Sequence, residues 1–304
     1  GGETATVVDF DENDTVLNVD GDLIIQSNGT FIASDSAAFT VAGSYDNNGI
    51  YTASGGTVTF DGSGTQTVAA GSSDFATVLI NGTGSYTVSE HATATDAFTL
   101  SNTSAFVLAS GQTLAIGGDF TNNVGGAATT WTGTTLSLYG GGNYLVNSSS
   151  VTQVYNNVVV GANTDIRMWN SIATTTTLSG GSLYSMDHSN TDGDLYIFGA
   201  YEKNSGTDVW SYVTDFDAAD ISGSPRKVDV YVEGGESVLY SSGGSLMMTG
   251  TGAFPTTVQN QGSGVYSFTI GDAASTTMTY YAFEDTDSDG LTFTGSPDIA
   301  DLSQ

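Results

Sequence analysis

Residues 43–49 read GSYDNNG, residues 118–125 read GDFTNNVG and residues 199–206 read GAYEKNSG. The phrases stand about 75 and then about 80 residues apart, and a short apolar alternation precedes each: AFTVAG (38–43), TLAIGG (113–118) and DLYIFG (194–199). Self-similarity at a long, nearly fixed period marks a repeat architecture, whose units cannot bury their apolar faces alone and must stack on neighbours. Outward from the echo, the chain is two-residue alternation, the signal of a strand with one face inward. It runs through TVLNV (15–19), DLIIQ (22–26), TFIAS (30–34), TVTFD (57–61), TVLIN (77–81), SYTVS (85–89), AFTLS (97–101) and TLSLY (135–139). Between such runs sit GD, NG, SGG, GSG and SNTS, which are turn chemistry.

Evenly spaced short strands arise in antiparallel sandwiches and barrels, or in parallel β-helices. Three features favour the second. Most connections are three to five residues long, where antiparallel strands would favour two-residue hairpins. No Pro-rich linker or shift of composition divides the chain as several sandwiches would require. The echo also fits stacked coils. The expected fold is therefore all-β, a parallel β-helix (β-solenoid) with roughly three strands per coil of about 25 residues; its handedness is left open. Three coils then separate the echoed phrases, which should share a face, and Asn47, Asn48, Asn122, Asn123 and Asn204 become candidates for stacked turn ladders. Residues 1–191 read as regular coils. Over 192–304 strands lengthen, as in KVDVYVEGG (227–235), and all three Pro occur, so this part reads as wider, irregular coils of the same solenoid; a separate β-sandwich is the alternative.

Composition agrees with an all-β chain and narrows its partners. There are 40 Gly, 3 Pro and no Cys, and Ser and Thr make up about a quarter of the residues. Thirty-three carboxylates face only Arg167, Lys203, Arg226 and Lys227, for a net charge of −29. Phosphate backbones are bound by clustered Lys and Arg, so nucleic acid is not an expected partner. Anionic lipid surfaces are disfavoured for the same reason, and no run reaches the roughly 20 apolar residues that span a bilayer. The chain opens GGETATVV without Met and reads as a mature product or an excerpt of a longer protein.

The stretch GDLIIQSNGTFIASDSAAFTVAGSYDNNGIYTASGGTVTFDGSGTQTV (21–68) resembles the repeats of very large bacterial cell-surface β-helix proteins. These include the giant surface proteins of uncultivated small-genome lineages and filamentous-haemagglutinin-like adhesins. The later segments DGDLYIFGAYEKNSGTDVWSYVTDFD, VQNQGSGVYSFTI and YYAFEDTDSDGLTFTGSP are similar to a recurrent part of the same proteins. The resemblance is one of texture and carries no functional residue. It implies a β-helix in an extracellular, cell-surface setting, with a role in attachment or envelope structure.

Catalytic chemistry is thinly represented. His91 and His188 lie far apart in polar loops, and no G-x-S-x-G elbow is present. Asp215, Asp217 and Asp220 in VTDFDAAD could supply the paired carboxylates of a glycoside hydrolase, but an exposed strand face explains them equally well. Trp131, Tyr139, Tyr144, Trp169, Trp210 and Tyr212 could stack on sugars if exposed. TTTT (174–177) raises a threonine array, which would need Thr at one position per coil on a flat face; this run is local. Metal binding has the best local motif. EDTDSDG (284–290) places Asp285, Asp287 and Asp289 at alternate positions before Gly290, like the opening of an oxygen-rich Ca²⁺ loop, although the bidentate acid of a full loop is missing. DFDEND (9–14) and TDGD (191–194) are weaker versions. The expected function is a non-enzymatic extracellular structural or adhesive solenoid, a segment or subunit of a larger cell-surface or filament-forming protein. Its expected partners are further coils or neighbouring copies end to end, with surface glycans as a further candidate. The alternative is a carbohydrate-active enzyme or glycan-binding module on a β-helix.

Overall fold

The structure, a computed structural model, describes residues 6–140, 142–147, 153–160, 165–169, 175–178, 183–185, 195–204, 206–211 and 229–303. Short strands and one 3₁₀ turn at Gly126–Ala128 make up its regular elements. All described strand pairs are parallel, and each strand pairs with the strand three places further along the chain or its nearest equivalent. The fold is a parallel β-solenoid with three strands per coil. It divides into two compact units, Gly1–Thr135 and Leu136–Gln304.

In the first unit one face stacks Leu17–Val19, Phe39–Val41, Thr57–Phe60, Thr77–Ile80, Phe98–Leu100 and Phe120–Asn122. Register turns the alternation of each strand into columns through the unit. Phe39, Val58, Val78, Phe98 and Phe120 lie over one another, as do Val41, Phe60, Ile80 and Leu100. All nine are buried. A one-residue slip would put the whole set on the outside, so burial fixes the register. The second face repeats the device with Tyr45 over Val68, Val88 and Leu108. Aromatic rings fill the wide part of the interior, with Phe75 packed against Tyr45, Tyr51 and Phe60 at centroid distances of 5.3, 5.4 and 6.2 Å.

Coils here advance by about 20 residues, from Val58 to Val78 to Phe98, rather than the 25 expected from the echo. The interval of about 75 residues is therefore not a whole number of coils. AFTVAG and DLYIFG each supply the first strand of a coil, whereas TLAIGG supplies a third strand, and the three phrases do not share one face. Nor do Asn47 and Asn122 form a ladder, since they stack on Ile25 and Leu100. Each instead points inward at a strand end and braces its own corner. The Asn47 side-chain amide donates to the Ala70 carbonyl at 3.0 Å and its Oδ1 accepts from the Gly49 N–H at 3.1 Å. Asn122 Oδ1 accepts from the Val124 and Gly125 N–H groups, both at 3.2 Å.

The second unit keeps the three-strand coil with wider spacing. Ile166 stacks on Leu195, Leu195 on Val230 and Val230 on Val258, roughly 30 residues per coil. Two further columns run Leu246–Thr276–Ile299 and Met248–Met278–Leu302.

Corners are where the coils pack most tightly. DGSG (61–64) lies under NGTG (81–84), and a Cβ on Gly82 would overlap the Gly62 carbonyl and the hydroxyl of Tyr86, which itself donates to Gly62 O at 2.8 Å. Gly21 has open space at its Cβ. Gly82→Ala is therefore expected to destabilise the protein by about 1–3 kcal/mol through overpacking, while Gly21→Ala stays within about 0.5 kcal/mol. Thermal melting of the two variants checks this, and equal midpoints would contradict the corner packing.

Candidate functional site

Asp285, Asp287 and Asp289 all lie among the described residues. Thr286–Phe293 is a strand stacked on Tyr266–Ile270, with a bulge that carries the DSDG segment outward between Thr286, opposite Tyr266, and Leu291, opposite Phe268. The Asp289 N–H donates to Asp287 Oδ1 at 3.1 Å, closing a local turn. The three carboxylates are not gathered within 4.8 Å of one another: side chains two residues apart on extended chain share a face but stand roughly 6–7 Å apart, where a Ca²⁺ loop must curl them round an ion.

A different acidic group does converge. Asp11 and Asp14, from DFDEND, meet Asp35 of the next coil, with ligand oxygens within 4.8 Å of one another. It is the one such group of three among the described residues, and it is half-exposed or exposed. Its loop is ordered by carboxylates: Asp9 Oδ1 accepts from the Asp11 and Glu12 N–H groups, and Asp11 Oδ1 accepts from the Asp35 N–H at 3.1 Å. Asp14, at φ 46°, accepts from the Ser34 hydroxyl at 2.9 Å. Hydrogen bonds from Ser36, Ser34 and Asp35 hold its carboxyl below the ordinary carboxylate range, outweighing slight desolvation. An oxygen-only set of this kind suits a hard cation.

Of the aromatics that could stack on sugars, Trp131 and Trp210 are buried and Tyr139 is half-buried. Trp131 packs against Phe106 and Phe120, so it serves the core. Tyr144 and Trp169 lie on strands, and Tyr212 is outside the described residues. So are His188, Asp215, Asp217, Asp220, TDGD (191–194), Arg226 and Lys227. His91 is exposed, and its Nδ1 accepts from the Thr113 N–H at 2.9 Å, bracing one coil on the next. A threonine column does occur, though away from TTTT: Thr40, Thr59, Thr99 and Thr121 face outward from successive coils of one face, interrupted by Leu79.

The most unusual chemistry is in the core of the second unit. Lys203, which reads as an isolated base in the sequence, is fully buried with its Nζ 3.0 Å from Oδ1 of Asp208, also fully buried. Asp208 Oδ2 accepts from the hydroxyls of Tyr201 at 2.6 Å and Tyr240 at 2.9 Å. Burial pushes the Lys203 ammonium below its ordinary value, with the Asp208 charge opposing that shift. Burial and the neighbouring Asp208 raise both tyrosines well above theirs, so the hydroxyls remain proton donors. The echo itself carried a signal for this position. In SYDNNG, DFTNNVG and AYEKNSG, Lys203 falls where Asn47 and Asn122 stand, the inward corner residue of each phrase.

No family model, curated protein or solved structure matches this chain.

Because Asp14 has a lowered carboxyl, its contribution to stability is complete above the ordinary carboxylate range and lost as pH falls through the lowered value. Asp14→Asn removes it at every pH. Melting temperatures between neutral and acid pH are expected to fall less steeply in that variant than in wild type, and parallel curves would contradict the role given to Asp14.

Proposed function

We propose that this chain is a non-enzymatic structural solenoid of the cell exterior, a stalk or adhesive surface lengthened by coils stacking end on end. The observation that carries this reading is the state of the terminal coils. Ile299 and Leu302 stand directly over the buried columns of Thr276 and Met278, yet are 42% and 39% exposed. Phe293, over Ile270, is exposed likewise. In the first unit Val8 stands over Phe31 at 43% exposure and opens a cavity of about 560 Å³ lined also by Phe10, Leu17, Val19 and Leu23. These are interior residues whose columns stop among the described residues. Beside them run edge strands with one row of backbone groups unpaired, the arrangement that recruits another strand.

The side walls suit display. Outward positions recur once per coil, about 4.8 Å apart, so the threonine column offers a row of hydroxyls, broken at Leu79, on a strongly acidic chain. Such a row favours repetitive polar partners, surface glycans included, over nucleic acid.

Sedimentation velocity over a concentration series, with electron micrographs of the same samples, tests the end-stacking. End-to-end association is expected for the wild type and should be reduced at least tenfold in Ile299→Asp/Leu302→Asp. A chain that stays monomeric throughout, or a double variant that associates unchanged, contradicts the reading.

A further inference from the structure

We propose that Lys203 and Asp208 join in an intramolecular amide, closed by the folded chain itself without a cofactor. The two side chains are five positions apart across one corner, between the strands Ala200–Lys203 and Gly206–Ser211. Their reacting groups already touch, with Nζ 3.0 Å from Oδ1, and both are removed from solvent. Held neighbours of this kind react as if at very high concentration. Two full charges in an apolar interior are costly, and moving one proton from Nζ to Oδ1 discharges both, giving the amine and the acid that the reaction needs. The lowered basicity of Lys203 runs in the same direction.

The steps balance without another reagent. After the proton transfer, the Nζ lone pair attacks Cγ and the C=O electrons move to Oδ2. The hydroxyls of Tyr201 and Tyr240, at 2.6 and 2.9 Å from that atom, stabilise the oxyanion as it forms. A second proton passes from nitrogen to Oδ1, the Cγ–Oδ1 bond breaks, and water leaves. An ammonium and a carboxylate become one secondary amide and one water, with no change in oxidation state. The product keeps Oδ2 as a carbonyl between its two tyrosine donors. Trp210, Tyr240 and Phe268 pack against one another at centroid distances of 5.9 to 6.2 Å, with the Tyr240 hydroxyl on Asp208, and the full burial of Lys203 and Asp208 keeps out the water that would reverse the reaction.

The amide would be a covalent corner. In the first unit Asn47 and Asn122 hold the equivalent position with hydrogen bonds to backbone. Here, where coils are wider, a bond that survives denaturation would take their place.

Intact-mass spectrometry of the denatured full chain, followed by peptide mapping, tests the proposal. The wild type is expected to be lighter than its sequence mass by one water, with a branched peptide joining Lys203 to Asp208. Lys203→Met should return to its own full mass. Asp208→Asn should lose ammonia instead and reach the same final mass as crosslinked wild type, since both lead to one product. Tyr201→Phe should leave a larger unreacted fraction. A wild-type chain at full mass overturns the proposal. So does a lost water that maps elsewhere, such as a succinimide at Asp61–Gly62.

Discussion

The described structure depends on one constraint: the strands of successive coils are hydrogen-bonded to one another in parallel register. Stacking about 4.8 Å apart satisfies the backbone and leaves the side chains no choice of neighbour. An inward residue must fit the residue one coil away, as Phe60 fits Val41 and Ile80. The same constraint makes corners tight, so glycines cluster where successive turns lie on one another. It also means that an interior position without a coil over it is exposed, as Ile299 and Leu302 are.

Local physics made much of this legible beforehand. Two-residue alternation, short turns and a long echo are properties of neighbouring residues, and they led to parallel coils of three strands. The coil length was misjudged because the echo spans a non-integral number of coils in the first unit. Its middle copy, TLAIGG, accordingly supplies a third strand and not a first. Asn47 and Asn122 form no ladder for a related reason, since they are inward braces at separate corners and have hydrocarbon neighbours in their columns.

The chemistry was harder to read because it is made by stacking. EDTDSDG has the right spacing for an ion, but spacing along a strand does not bring carboxylates together. DFDEND supplies Asp11 and Asp14, but Asp35 belongs to no motif with them, and only a coil step brings it within reach. Lys203 and Asp208 are close in sequence, yet nothing local says that both point inward. That follows only from the alignment of Lys203 with Asn47 and Asn122, and from the coil that lays Tyr240 over Lys203.

The central claim is the parallel coil itself, and spin-label distances measure it directly. Thr40, Thr59, Thr99 and Thr121 face outward from one wall of the first unit, and a chain without Cys accepts labelled cysteines at chosen pairs. The distance from position 40 should lengthen by about 4.8 Å for every coil crossed, reaching about 14 Å at position 99 and 19 Å at position 121. Distances that fail to grow with coil number, or that bring 40 and 121 closer than 40 and 99, would contradict the solenoid and everything derived from it.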